Sequence, residues 1–374
     1  MSLQPSDYFL SDADNAAIFE QQIGPIEFGN DNGTLITNTA TPGRPVCIIL
    51  AGQTGAGKSH AAPVLAASLS KIAAPRSRLC HLVADSHKPY HPAYAGLLAA
   101  AALGRAPAGL ASAATGHDAR RWLARACAVA AAQKRPTLVE SASRYPQDVA
   151  AIATTFQAAG YRVCFMLLSV HTAQSRLGLL ARFLDAGTVP PSSDPDSTCR
   201  HPSMPVRLTP RAIHDESCAG LALLAGMLDA QDGAVKGKRS NFLADAVLIV
   251  RRGNFVAYAN DWQRSTGTWQ TMPAGVCRAL ATEQSRRWTC NDSERSGNKD
   301  QSGAPLAREA VQFAYDVARL RAAHPDRVDE LIALADEYGL GAETDDDNAS
   351  IADKSVYRAL DADTLVTHLQ SSAW

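Results

Sequence analysis

Between Val46 and about Arg252 the chain alternates short apolar runs with longer amphipathic or alanine-rich stretches. The apolar runs are Val46–Ala51, Leu79–Ala84, Thr137–Val139, Arg162–Val170 and Ala246–Val250. They are rich in Val, Ile and Leu without strict alternation, as expected of strands covered on both faces. The stretches between them, around 58–72, 92–103, 117–133, 146–159, 171–186 and 209–229, predict helices. Strands and helices in turn predict an α/β fold, a parallel sheet with helices on each side. Ligands of such sheets bind beyond the carboxyl ends of the strands. Residues 1–44 are polar and turn-rich, with one short helix expected around Asp14–Gln22. After about Asn260 the alternation stops. Ser285–Ala304 reads as a polar linker or loop, and Leu306–Tyr338 as one or two helices broken at Pro325. The expected organisation is an extension over 1–44, an α/β domain over 45–258 and a mainly helical C-terminal region over 259–374.

The first strand leads into Gly52-Gln53-Thr54-Gly55-Ala56-Gly57-Lys58-Ser59, which satisfies G-x-x-x-x-G-K-[ST] and opens a helix. Strand, glycine loop and helix is the context that marks a phosphate-binding loop. Glycines let backbone N–H groups curl around a phosphate, and the helix N-terminus adds partial positive charge. In that arrangement Lys58 reaches the β- and γ-phosphates and the Ser59 hydroxyl ligates Mg²⁺. ATP or GTP is therefore the expected nucleotide, and the sheet is expected to be of the P-loop NTPase type. Pro63, about one turn into the helix, removes an N–H and predicts a local distortion there.

Formal net charge is −1, so no basic surface announces nucleic acid and no polybasic tract announces a membrane. No apolar run approaches a membrane span and the N-terminus lacks secretory-signal character, so the expected location is cytoplasmic, in this cell or in one that receives the protein. Eight cysteines form no C-x-x-C pair, and Cys47, Cys80 and Cys164 lie in strand-like runs, where a thiol acts as a small hydrophobe. Thr344-Asp-Asp-Asp-Asn348 reads as a solvated turn, and 188–206, rich in Pro and Ser, as either a lid or an insertion.

A second informative segment follows the strand at 79–84: Asp85-Ser-His-Lys88-Pro-Tyr-His91-Pro92-Ala-Tyr94. A carboxylate there faces two roles. It can accept a proton from an attacking hydroxyl or hold water on Mg²⁺ across the cleft, or it can cap the next helix. Further along come Glu140-Ser-Ala-Ser-Arg144, Arg182-Phe183 and Arg207-Leu-Thr-Pro-Arg-Ala-Ile-His214-Asp215. With the glycine loop, these five blocks in this order resemble the zeta toxin family, the kinase toxins of bacterial toxin–antitoxin systems. The resemblance covers about residues 14–255.

The resemblance implies that Asp85 is the general base for the substrate hydroxyl, and that Arg182 and Arg207 close over the transferring phosphoryl group, with Lys58 as the fourth catalytic residue. Planar guanidinium groups suit the spread negative charge of that transition state. Glu140, Arg144 and Lys88 are the expected substrate-binding residues, although Glu140 could instead pair with Arg144 and Lys88 could be an ordinary surface lysine. His214 and Asp215 read as a packing or capping pair. Where the family often carries a substrate-binding Glu and a Thr, this chain has Ala124 and Ala142. The expected activity is transfer of phosphate from ATP or GTP to a hydroxyl of a nucleotide-sugar such as UDP-N-acetylglucosamine, with an antitoxin or chaperone as protein partner. NAD phosphorylated on a ribose hydroxyl is the alternative that the two alanines favour. A nucleotide-binding switch that transfers nothing is the alternative from another class.

Overall fold

The computed structural model describes residues 3–29, 44–73, 77–107, 109–185, 209–233, 242–252, 255–285, 308–323 and 325. Among the described residues, seven strands form one sheet in the order β2-β3-β1-β4-β5-β6-β7. They are β1 (Val46–Ala51), β2 (Cys80–Val83), β3 (Thr137–Ser141), β4 (Arg162–Ser169), β5 (Ala246–Arg251), β6 (Phe255–Gln263) and β7 (Thr268–Trp269). The first five are parallel, β6 pairs antiparallel with β5, and β7 pairs antiparallel with β6. The helices are α1 (Asp12–Ile18), α2 (Gly24–Phe28), α3 (Lys58–Ile72), α4 (Ala84–His87), α5 (Tyr94–Ala102), α6 (Leu110–Ala132), α7 (Pro146–Ala158), α8 (Thr172–Asp185), α9 (Arg211–Asp229), α10 (Val276–Gln284) and α11 (Arg308–Ala323).

Strand periodicity divides the core. Cys47, Ile49 and Ala51 of β1 face a large apolar layer that includes Trp122, Phe156 and Leu224. Ile48 and Leu50 face a smaller layer closed by Ala61, Leu65 and Leu69 of α3. Both faces are buried, which is why the strands read as continuous apolar runs. The thiols of Cys47, Cys80, Cys127 and Cys164 are buried in these layers, and desolvation pushes all four up from the usual thiol range. Helix α3 runs unbroken through Pro63.

The N-terminal region departs from its expected role as an extension. Helix α1 and a π turn at Phe19–Ile23 cover the short helix expected around Asp14–Gln22, α2 continues beyond it, and Phe19, Ile23 and Phe28 enter the large core layer. A buried polar anchor fixes them. The Asp118 carboxylate, inaccessible to solvent, accepts from Leu10 N at 3.1 Å, Asn15 Nδ2 at 3.0 Å and Arg121 Nη1 at 3.0 Å. Trp122 Nε1 donates to Asn15 O at 2.8 Å. A buried carboxylate is tolerated only when its oxygens are satisfied in this way.

The C-terminal region also differs in part from expectation. The boundary expected between 258 and 259 falls inside β6, which pairs antiparallel with β5. Strand β6 escapes the sequence pattern because Asn260 and Asp261 interrupt its apolar residues and its face is mostly half-buried or exposed. Asn260 is buried and accepts from Thr271 N at 3.1 Å, so a side-chain amide replaces a ladder bond. Of Leu306–Tyr338, the described part is mainly α11, and it packs Phe313, Val317 and Leu320 on Ala173, Leu177 and Leu180 of α8. Segments 188–206 and 344–348 lie outside the described residues.

Candidate active site

The strand register brings the sequence blocks together. Leu50 of β1 and Val83 of β2 both pair with Glu140 on the intervening β3. The glycine loop starts two residues beyond Leu50 and Asp85 lies two beyond Val83, so both leave the sheet at the same edge as Glu140. The order β2-β3-β1-β4 reverses the direction of winding at β1, the position where open α/β sheets form a ligand crevice. A cleft of about 1380 Å³ opens there. Its lining includes Thr54, Gly55, Gly57, Lys58, Ser59, Asp85, Lys88, Glu140, Arg144 and Arg182, drawn from five different elements.

The loop depends on glycine for its backbone conformation and, at Gly55, for close packing. Gly55 and Gly57 have φ of +79° and +95°. A Cβ on Gly55 would lie 2.0 Å from Ser175 O of α8, and one on Gly178 of α8 would lie 2.8 Å from Gly55 O. Helix α8 is thus pressed directly on the loop backbone. The side chain of Gln53 turns inward, donating to Val170 O at 2.6 Å, while Gly52 and Ala56 are buried supports of the turn. Thr54 N donates to Ser217 Oγ at 3.1 Å, and Ser217 in turn donates to His214 O at 2.7 Å. His214 Nε2 is 2.7 Å from Ser175 Oγ, and burial lowers the pKa of this imidazole. The His214–Ser217 turn of α9 therefore clamps the loop to α8, in line with the packing role expected of His214. Asp215, exposed, accepts from Arg176 at 2.9 Å.

Lys58 opens α3 and folds back over the loop, donating to Gly52 O at 2.7 Å and Gln53 O at 3.1 Å. Burial lowers its pKa to about 8, opposed by the Glu140 and Asp85 carboxylates and reinforced by Arg182. All four side chains line the same cleft. Ser59 is exposed beside Lys58.

The cap position of α4 falls on Val83, so the capping role considered for Asp85 is not the one observed. Asp85 sits in the first turn with its carboxylate exposed to the cleft, 2.6 Å from Lys88 Nζ. Lys88 is buried and not a surface lysine. It also donates to Ser112 Oγ at 2.6 Å, which aims the ammonium at Asp85. Glu140 pairs with His81 Nε2 at 2.7 Å, while Arg144 pairs with Glu216 of α9, so the Glu140–Arg144 pair is not formed. Arg182 projects from α8 into the cleft. Arg207 lies outside the described residues.

Several lining residues were not singled out from the sequence. Arg252 follows β5 and donates to Gln174 O at 3.2 Å, holding it beside the loop. Its position at the carboxyl end of a parallel strand was the available signal. Arg120 of α6, 2.9 Å from Asp148 and stacked 3.7 Å over the Tyr145 ring, lines the same cleft with Ala124 and Ala142. Ser217 carried no signal, because a helical serine is unremarkable until the loop is seen against it.

The sequence model of the family described as Zeta toxin matches residues 32–263, more than half of the chain. Comparison with curated protein sequences found no match. Among solved structures, one from the PezAT chromosomal toxin–antitoxin system of Streptococcus pneumoniae is similar, with 14% identity and a TM-score of 0.50 over 87% of this chain and 99% of that one. AvrRxo1-ORF1:-ORF2 with ATP is 12% identical over 87% of this chain and 86% of that chain, with a TM-score of 0.41. Its native complex is 13% identical over 87% and 84%, also at 0.41. At these identities the first likeness is one of fold, consistent with the parallel sheet and its flanking helices.

Proposed function

Because the chain belongs to the zeta toxin family of kinase-type phosphotransferases, we propose that it transfers the γ-phosphoryl group of ATP or GTP to a hydroxyl of a nucleotide-sugar such as UDP-N-acetylglucosamine. The observation that carries this reading is the single cleft lined together by Lys58 of the glycine loop, Asp85, Glu140 and Arg182. In the reaction, Asp85 takes the proton of the acceptor hydroxyl as its oxygen bonds to the γ-phosphorus. The bond from that phosphorus to the β–γ bridging oxygen breaks, and the nucleoside diphosphate leaves with the electron pair. Lys58, which gives its protons to loop carbonyls in the structure, would turn them to the phosphates. Arg182, and Arg207 on the segment before α9, would neutralise the equatorial oxygens.

The residues present suit a magnesium nucleotide: at Gly55 the loop has room for backbone only, and Ser59 is exposed beside Lys58 at the start of α3. Ser59 would hold Mg²⁺, which supplies charge neutralisation at the β- and γ-phosphates. Glu140, Arg144 and Lys88 would engage the acceptor. Glu140 is held by His81, and Lys88 links the acceptor wall to the proposed base.

A second reading of the acceptor rests on a specific observation. Ala124 and Ala142 both line the cleft, which thus has small apolar side chains where the family pattern has an acid and a hydroxyl. That favours a different acceptor, NAD phosphorylated on a ribose hydroxyl, with the same donor chemistry. The protein partner we propose is an antitoxin that covers the cleft, as the toxin–antitoxin origin of the pneumococcal structure suggests. Incubating the full chain with γ-labelled ATP and Mg²⁺ tests the proposal. Label on UDP-N-acetylglucosamine supports the first acceptor and label on NAD the second. Label released only as inorganic phosphate, with neither acceptor modified, would leave a nucleotide switch and refute the kinase reading.

A further inference from the structure

Helix α11 lies beyond the part of the chain that matches the family model, yet it helps to wall the cleft. Its Phe313, Val317 and Leu320 bury themselves against Ala173, Leu177 and Leu180 of α8. This packing turns another face of the helix inward, and Asp316 and Arg319, one turn apart, line the cleft together with Arg182. Resting on the kinase reading above, we propose that α11 is a nucleoside-recognition element, with Asp316 and Arg319 binding the base or ribose of the donor.

The side of the cleft follows from the packing. Helix α8 is the element pressed on the glycine loop, through Gly178 against Gly55 O and through Ser175, which is 3.5 Å from Gln53 Nε2. A helix docked along α8 therefore stands beside the glycine loop, where the donor is proposed to bind, whereas α6 and the Glu140–Arg144 turn line the part of the cleft proposed for the acceptor. The choice of nucleoside over phosphate follows from charge. The triphosphate already has Lys58, Arg182 and the loop amides, and a carboxylate in contact with phosphate oxygens would repel them. A carboxylate instead accepts from ribose hydroxyls or a base amino group, and a guanidinium beside it can stack on the base or donate to its ring acceptors. An acid and a base one helical turn apart are thus matched to the uncharged, hydrogen-bonding end of the donor.

Equilibrium binding by the full chain, measured by displacement of a fluorescent ATP analogue, separates these contributions. The competitors are ATP and inorganic tripolyphosphate, and the proteins are wild type, Lys58→Ala, Arg319→Ala and Asp316→Asn. Arg319→Ala and Asp316→Asn are expected to weaken ATP by about tenfold or more, the scale of a lost hydrogen bond to a charged group, while tripolyphosphate stays within about twofold of wild type. Lys58→Ala should weaken both competitors. If Arg319→Ala melts early, Asp316→Asn, which keeps the side-chain shape, decides alone. Unchanged ATP affinity in the α11 variants overturns the inference, and so does an equal loss of ATP and tripolyphosphate. Unchanged ATP affinity in Lys58→Ala would instead overturn the kinase reading on which the inference rests.

Discussion

Replacing Asp85 by Asn tests the chemistry with little disturbance of the fold. The side chain is 66% exposed, and its partner Lys88 keeps the 2.6 Å bond to Ser112 Oγ when the carboxylate is gone. Only the carboxylate end of this ion pair is open to water, but Lys88, which is buried, keeps Ser112 as a partner and Asn preserves the shape, so the melting temperature should fall only slightly. Nucleotide affinity should hold or rise, because a negative charge leaves a cleft proposed to take a polyanion. The rate should respond very differently. A positioned general base contributes about 10²–10⁴-fold, which corresponds to about 2.7–5.4 kcal/mol of barrier at 1.36 kcal/mol per decade. Single-turnover transfer of labelled phosphate from preloaded ATP to the acceptor found by the labelling experiment isolates this step from binding. The expected pattern is a rate loss in that range with ATP affinity held or raised. A rate within about threefold of wild type would refute the base assignment, because a loss that small lies below what a positioned base supplies.

Lys58 gives a pH signature. Its pKa, lowered to about 8 by burial, is to be raised again by bound phosphates, so ATP binding at pH values above about 8 should take up a proton. Affinity should be flat below that pH and fall above it. Calorimetry in buffers of different ionisation enthalpy measures the uptake, which Lys58→Met should abolish. At Gly220, α9 touches the turn that carries Arg144. An added Cβ would meet Ser143 O at 1.9 Å and Arg144 Cα at 3.2 Å, while Ser143 already holds a φ of +60°. Gly220→Ala should therefore cost about 1–3 kcal/mol in urea denaturation, and should raise the KM for acceptor more than that for ATP. An acceptor KM equal to wild type would show that the position of this turn does not matter to the acceptor site.

How much of this was legible in the sequence depends on what each residue answers to. The β1 loop and α3 were readable because a phosphate loop is specified locally: glycines at fixed offsets satisfy a backbone requirement that Gly55 and Gly57 meet at positive φ. Asp85 and Glu140 were readable through their place at strand ends, since a parallel sheet gathers those ends at one edge. Their partners were not. Glu140 pairs with His81 across neighbouring strands, Arg144 with Glu216 on a distant helix, and Lys88 with Ser112. Each of these pairings is chosen by tertiary packing, which leaves no periodic trace. The N-terminal segment shows the same limit from the side of stability. Its polar, turn-rich composition suggested an extension, yet three apolar side chains among polar neighbours suffice to join the core when Asp118, buried about a hundred residues away, satisfies the backbone and amide groups that would otherwise oppose their burial. The C-terminal helix is the reverse case. Its amphipathic pattern was visible, but the stripe that packs on α8 says nothing of what the other face meets. Only the position of α8 against the glycine loop turns Asp316 and Arg319 from helix-surface charges into residues of the cleft.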